Sequence, residues 1–228
     1  MADMQELHEK LVARFDPMRC ALLVVDVQRY FTRQRPTPMY PPVDEVLARL
    51  KRFADACRNR GVLLVRIQNV ISEESALGAW RRHFGERWGT PSPLAPDQPG
   101  AKFHPGFEPE AGDLVITKPR YSAFHGTPLA SILRSRGVEA VIVGGLTTDV
   151  CVSGTARDAF QHEFDVVTLS DCTAEVSQAR HESGLATLAA NFGIVCPSTD
   201  VLAIWNNIGC SSDQTLASGG GGTQAKDA

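Results

Sequence analysis

Short, nearly unbroken apolar runs alternate along this chain with longer stretches in which apolar residues recur every three or four positions. Ala21-Leu22-Leu23-Val24-Val25 is the first run, and its lack of polar interruption fits a strand buried on both faces. Val43, Val46, Leu47, Leu50, Phe53, Ala54 and Cys57 then keep helical spacing as far as Gly61, a residue suited to ending a helix. The alternation continues with strands over 62–67 and 114–117, a helix opened by Thr127-Pro128 that runs through Leu129, Ile132 and Leu133 to Gly137, and a strand over 140–143. A helix after Cys151, a strand over 165–169, a helix through Leu185, Leu188 and Phe192 to Gly193, and a short strand over 194–196 complete the series. Six strands separated by helices predict an α/β fold of three layers, α/β/α, with a six-stranded parallel sheet covered on both faces.

Two regions break this rhythm. Residues 71–113 form a connection too long for an ordinary crossover, with Trp80, Arg81, Arg82, His83, Trp88 and a cluster of prolines. Such a loop reads equally as a lid over a strand-end site or as a surface excursion or subunit contact that buries its tryptophans. As a lid it would offer Arg81 or Arg82 to a substrate carboxylate. Residues 211–228, with Ser218-Gly219-Gly220-Gly221-Gly222-Thr223, are poor in apolar residues and read as a disordered tail after one domain over 1–210.

Composition narrows the function classes. The chain has 228 residues, 43% of them hydrophobic, enough for a large core, and a formal net charge of −3 argues against nucleic acid or an acidic membrane as partner. No apolar run approaches the roughly 20 residues needed to span a bilayer, and Met1-Ala2-Asp3-Met4-Gln5-Glu6 lacks the basic start of a signal peptide, so a cytoplasmic protein is expected. Cys20, Cys57, Cys151, Cys172, Cys196 and Cys210 are scattered without a C-x-x-C pair and read as reduced thiols. No G-x-G-x-x-G or P-loop pattern is present, so no nucleotide cofactor is expected.

Candidate chemistry gathers at strand ends. Val143-Gly144-Gly145-Leu146-Thr147-Thr148-Asp149-Val150-Cys151-Val152 places a cysteine where an apolar strand gives way to a helix. Backbone N–H groups at a helix start favour negative charge, which biases such a thiol toward thiolate and offers donors to an oxyanion. Gly144-Gly145 reads as a sharp turn. Asp26 follows the first strand in Val25-Asp26-Val27-Gln28, and Lys118 follows the third in Lys118-Pro119-Arg120-Tyr121-Ser122-Ala123-Phe124. Each alone has a plainer reading: a buried small hydrophobe, a turn cap, a solvated lysine. Three at three strand ends of a parallel sheet describe a ligand site.

On those residues the chain resembles the isochorismatase-like cysteine hydrolases. The family carries an aspartate after its first strand, a lysine in a K-x-R-[YF]-S-[AG]-F phrase and a cysteine in G-[VIL]-x-T-x-x-C-V. Here these are Asp26, Lys118 and Cys151, in family order, and the resemblance extends from about Ala21 to Pro197. It implies the Rossmann-like fold of that family, a Cys-Asp-Lys triad, a cis peptide joining Leu146 to Thr147, and an oxyanion hole from the amides of Thr147 and Cys151. It also implies hydrolysis of a small amide, ureide or carbamoyl C–N bond through a thioester, with release of ammonia. Gln28, Phe31, Tyr121 and Phe124, beside the motif residues, are further candidates for the substrate wall, together with Arg81 and Arg82. The phrases 118–122 and 127–137 look most like the ureidoacrylate hydrolase branch. A homo-oligomer, dimer or tetramer, is expected, with a small molecule as the other partner.

Departures from relatives sharpen the reading. Nicotinamidases of this family place an Asp-x-His metal motif after the second strand, where this chain has Arg66-Ile67-Gln68-Asn69-Val70, so no metal is expected. His83, His104, His125 and His162 lack zinc-site spacing; His125, beside Phe124, reads as a surface or packing residue before a pocket one. Isochorismatases proper lack the cysteine, so Cys151 favours C–N chemistry. The alternatives are a nicotinamidase- or isochorismatase-type hydrolase, or a non-catalytic binder on the same scaffold, and ammonia release from a panel of ureides separates enzyme from binder. A redox sensor built on Cys151 would need a resolving cysteine nearby, and none lies close in sequence.

Overall fold

The computed structural model describes residues 15–35, 37–75, 78–84 and 91–206. Trp88, Cys210 and the Gly-rich segment 211–228 lie outside the described residues. Six strands form one parallel sheet: β1 Cys20–Val25, β2 Leu63–Asn69, β3 Leu114–Lys118, β4 Ala140–Leu146, β5 Asp165–Ala174 and β6 Ile194–Cys196. The helices between them are α1 Val43–Arg58, α2 Gly78–Phe84, α3 Leu129–Ser135, α4 Ser153–Gln161 and α5 Gln178–Asn191, and residues 198–206 form a further helical segment. None of the described helices is long and apolar enough to cross a membrane.

The strand order is β3-β2-β1-β4-β5-β6. The chain builds outward from β1 in one direction and then returns to add β4 on the other side. At that reversal the crossovers leave in opposite directions, which opens a crevice beyond the carboxyl ends of β1 and β4.

Alternation along β1 explains the three layers. Leu22 and Val24 face Leu47, Leu50 and Phe53 of α1 and, further out, Trp205, whereas Ala21, Leu23 and Val25 face Leu129 and Leu133 of α3 and Ala156 and Ala159 of α4. All six residues of β1 are buried, as an uninterrupted apolar run requires. Arg66 departs from that pattern. It lies fully buried on the α1 side of β2, with Nε 2.9 Å from Asp113 Oδ2, and Asp113 is shared with Arg58 of α1.

One expectation is corrected. Gly144-Gly145 does not make a turn; β4 runs through both and ends at Leu146. Gly145 is needed because a Cβ there would lie 2.1 Å from the Val25 carbonyl oxygen, and its φ of +122° is one that side chains rarely adopt. The long connection of residues 71–113 is tied back to the fold. Its second half is bonded to the segment after β1, through Arg29 N to Lys102 O and His104 N to Val27 O, both 2.9 Å, and through the Gln28–Phe103 bridge.

Candidate active site

Asp26 is the first residue beyond β1, and its backbone takes the left-handed conformation, φ 51°. Aspartate tolerates this region better than most residues, and a forced bend there is of the kind found at functional sites. The bend directs a fully buried carboxylate into the crevice region, where Oδ2 accepts from Lys118 Nζ at 2.7 Å. Lys118 arrives from the end of β3, two strands away, and also donates to the Arg120 carbonyl at 3.0 Å. Asp26 Oδ1 is buried and has no hydrogen-bond partner among the described residues, so one carboxylate oxygen is free to take a proton.

Cys151 lies in a single π-helical turn, Thr148–Val152, between β4 and α4. Its thiol is buried against the ion pair, and each of the three groups responds to the other two. Burial pushes the thiol well above its ordinary range; Lys118 opposes the shift and the Asp26 carboxylate adds to it. Burial thus works against the thiolate that the helix start favours. Burial also raises Asp26, against the pull of Lys118 and Cys151, which makes it a stronger base. Desolvation works to lower Lys118, but the Asp26 and Cys151 charges outweigh it and hold the ammonium above its usual range.

The Leu146–Thr147 peptide is cis. Thr147 O accepts from the amides of Val150 and Val152 at 3.2 and 3.1 Å, while the Thr147 amide has no backbone acceptor among the described residues. That amide immediately precedes the turn that carries the thiol, and the amide of Cys151 lies within it.

The other sequence candidates separate. Gln28 is a strut: its Nε2 donates to the carbonyls of Asn69 and Ala101 at 2.9 and 2.7 Å, and its Oε1 accepts from Asn69 N at 2.8 Å. With both N–H groups engaged, its carboxamide ties β2 to the long connection beside Asp26. Phe31 belongs to a small cluster with Ile71, Leu94 and Leu146, against which Trp80 packs. Phe124 is a core residue stacked near His162 and Phe164. Tyr121 is 41% exposed, and its phenol is raised by burial first and then by Cys151, which places it at the mouth of the site. Arg81 and Arg82 are exposed on α2 and have no ion-pair partner among the described residues. His125 is exposed, and His104 is buried with Nδ1 2.8 Å from Thr32 Oγ1.

The sequence reading passes over the residues that hold the cysteine turn from behind. Thr148 Oγ1 lies 2.8 Å from His181 Nδ1, and the Asp149 amide donates to Glu175 Oε2 at 3.1 Å. Glu175 carries the signal already used for Asp26, a charged residue at the carboxyl end of a strand.

The chain belongs to the isochorismatase family: the isochorismatase domain model matches residues 20–200. It is a hydrolase. Ureidoacrylate amidohydrolase RutB of Methylobacterium radiotolerans is 33% identical over 215 residues, 86% of this chain and 82% of the relative. Among solved structures, a cysteine hydrolase from Pseudomonas syringae pv. phaseolicola superposes with a TM-score of 0.74 at 26% identity, covering 85% of this chain and 95% of the other. N-carbamoylsarcosine amidase from Thermoplasma acidophilum superposes with a TM-score of 0.66 at 25% identity, over 79% and 97% of the two chains.

Proposed function

We propose that this hydrolase cleaves the C–N bond of a small carbamoyl compound of the ureidoacrylate type, with Cys151 as nucleophile, Asp26 as base and Lys118 as counter-charge. The observation that carries the reading is the fully buried Lys118–Asp26 pair, 2.7 Å apart, set against a buried thiol at the sheet's switch point. The RutB relatives and the phrase 118–122 support the substrate class.

Asp26 takes the thiol proton, and the thiolate attacks the carbonyl carbon, forming a C–S bond and an oxyanion. The amides of Thr147 and Cys151 receive that oxyanion, and Lys118 keeps the site from accumulating two uncompensated negative charges. Asp26 returns its proton to the leaving nitrogen, the C–N bond breaks, and ammonia or an amine departs. Water then attacks the thioester with Asp26 again as base, releasing the acid or carbamate and restoring the thiol. In this reading Tyr121 and Arg81 or Arg82 contact the distal part of the substrate, a carboxylate in the case of the arginines.

The test is ammonia release from ureidoacrylate, N-carbamoylsarcosine, maleamate, biuret and nicotinamide by the wild type and by Cys151→Ser. Turnover of a carbamoyl compound that disappears in Cys151→Ser is the expected result. A wild type silent on the whole panel would point to a binder on this scaffold, and a Cys151→Ser enzyme with near-normal turnover would remove the thiol from the mechanism.

A further inference from the structure

The turn that carries Cys151 is short and is held from outside. Its first residue, Thr148, is fully buried and hydrogen-bonded to His181 of α5; its second, Asp149, is gripped through both backbone and side chain. The Asp149 amide donates to Glu175 Oε2 at 3.1 Å, and its carboxylate accepts from Arg180 Nε at 3.0 Å. Gly184 lets α5 approach so closely that a Cβ there would stand 3.2 Å from Asp149 Cα.

Glu175 is an unusual residue for this position. It is fully buried, its other oxygen accepts from the Val176 amide at 2.9 Å, and its nearest cation, Arg180 Nη1, is 3.8 Å away. Its own backbone is paired to Tyr40 in both directions. A buried carboxylate is a poor device for stability, since an apolar residue of similar size commonly serves as well. It is a good device for geometry, because a charged acceptor holds an N–H at a defined distance and angle. His181 is also buried, beside Tyr40, and burial keeps its imidazole below the usual range against the opposing pull of Glu175 and Glu182.

We propose that Glu175 and His181 are positioning residues for the hydrolysis, holding Asp149 and Thr148 so that the backbone donors of the turn face the developing oxyanion. The proposal rests on the cysteine-hydrolase reading above. Neither residue exchanges a proton with the substrate; both act through the turn.

Alkylation of a thiol forms no oxyanion, so it reports the triad alone, whereas amide hydrolysis reports the triad and the donors together. The experiment measures kcat and KM for the panel compound that the wild type turns over fastest, the iodoacetamide labelling rate of Cys151, and Tm, in Glu175→Gln, Thr148→Val and Thr148→Ser. Removing one oxyanion donor typically lowers kcat about 100- to 1000-fold, so misaiming one predicts a loss of about 10- to 100-fold in Glu175→Gln and Thr148→Val. KM and the labelling rate should stay within about threefold of wild type, the split expected when only transition-state contacts are lost. Thr148→Ser, which keeps the hydroxyl, should recover most of the loss. An unchanged kcat with a lowered Tm would make the residues structural, and a parallel fall of labelling and kcat would place their effect on the thiol; either overturns the proposal. If Glu175→Gln does not fold, the Thr148→Val and Thr148→Ser pair decides it. Turnover that survives Cys151→Ser would instead remove the mechanism on which the proposal stands.

Discussion

The buried Lys118–Asp26 pair and the thiol beside it, raised by burial, should set the pH behaviour of the proposed reaction. Asp26 is held above the ordinary carboxylate value of 3.8, burial being the cause, so the acid limb of kcat/KM should lie above that value and activity should fall as pH drops through it. Asp26→Asn removes the base and should lower kcat by several orders of magnitude; a near-normal rate would exclude Asp26 as the proton acceptor. Lys118→Met leaves a buried carboxylate without its cation, and loss of one member of such a pair typically costs about 3 kcal/mol or more. Denaturant melts should show that deficit at pH 8 and a smaller one as pH is lowered, where a proton can neutralise Asp26 instead. A deficit that did not shrink with acidity would mean that the pair is not the source. All three side chains were legible in the sequence, because each is a chemically distinctive residue at the end of an apolar run. Gln28 was not legible as a strut, since its partners, the backbone of Asn69 and Ala101, lie 41 and 73 residues away.

At the scale of elements, the strands expected from apolar runs are present, and several extend further than the pattern suggests. β5 continues through Asp171 and Thr173 to Ala174, and β4 continues through two glycines. The extra length appears because ladder hydrogen bonds with a neighbouring strand sustain residues of low intrinsic β preference. The two kinds of glycine should therefore respond differently to alanine. Gly145→Ala meets the Val25 carbonyl at 2.1 Å and an adverse φ, and should abolish soluble expression or depress Tm severely. Gly106→Ala carries an adverse φ of +86° but has open space, and should cost only about 1 kcal/mol. Comparable Tm values for the two would show that close approach of β4 to β1 is not what Gly145 provides. α2 packs Trp80 against the Phe31 cluster and leaves Arg81 and Arg82 exposed. If one of these arginines contacts the substrate carboxylate, its replacement by alanine should raise KM with kcat nearly unchanged.

Across the described residues of the molecule, burial opposes ionisation of every thiol. Cys20, Cys57, Cys151, Cys172 and Cys196 are all buried and all raised by burial from an ordinary value of 9.0, Cys20 and Cys196 to about 12. Between those limits the unfolded chain releases protons that the folded chain retains, so stability falls as pH rises above about 9. Each thiol adds up to about 1.4 kcal/mol per pH unit to that slope, and Lys118, also raised, acts in the same direction at higher pH. Unfolding free energies between pH 8 and pH 10.5 should trace this decline, and Cys57→Ala and Cys172→Ala should flatten it. A pH-independent stability in that range would show that the thiols are ionised or exposed in the native state. Dialysis against a chelator should leave rate and Tm unchanged, because Arg66 is committed to Asp113 and the Asn69 backbone to Gln28 at the strand where metal-using relatives place ligands.

The alternation of apolar runs and helical spacing was enough to define a parallel α/β sheet, because each residue's burial on both faces or on one is a local property of its period. A site at the carboxyl edge followed from the same pattern, since strand ends in such a sheet share one edge whatever the loops between them do, whereas the triad roles came from the family resemblance. The strand order, and with it the placement of Asp26 and Cys151 on the two sides of one crevice, came only from tertiary pairing between β1 and β4, which no local signal encodes. The environment of the Cys151 thiol was likewise decided there. A helix start argues for thiolate, but burial and the Asp26 carboxylate push the thiol upward against Lys118, and desolvation is a property of the surrounding fold rather than of the residue's neighbours in sequence. The grip of Glu175 and His181 on the turn, across 26 and 33 residues, belongs to the same category: two ordinary polar residues whose partners are set by how α5 packs.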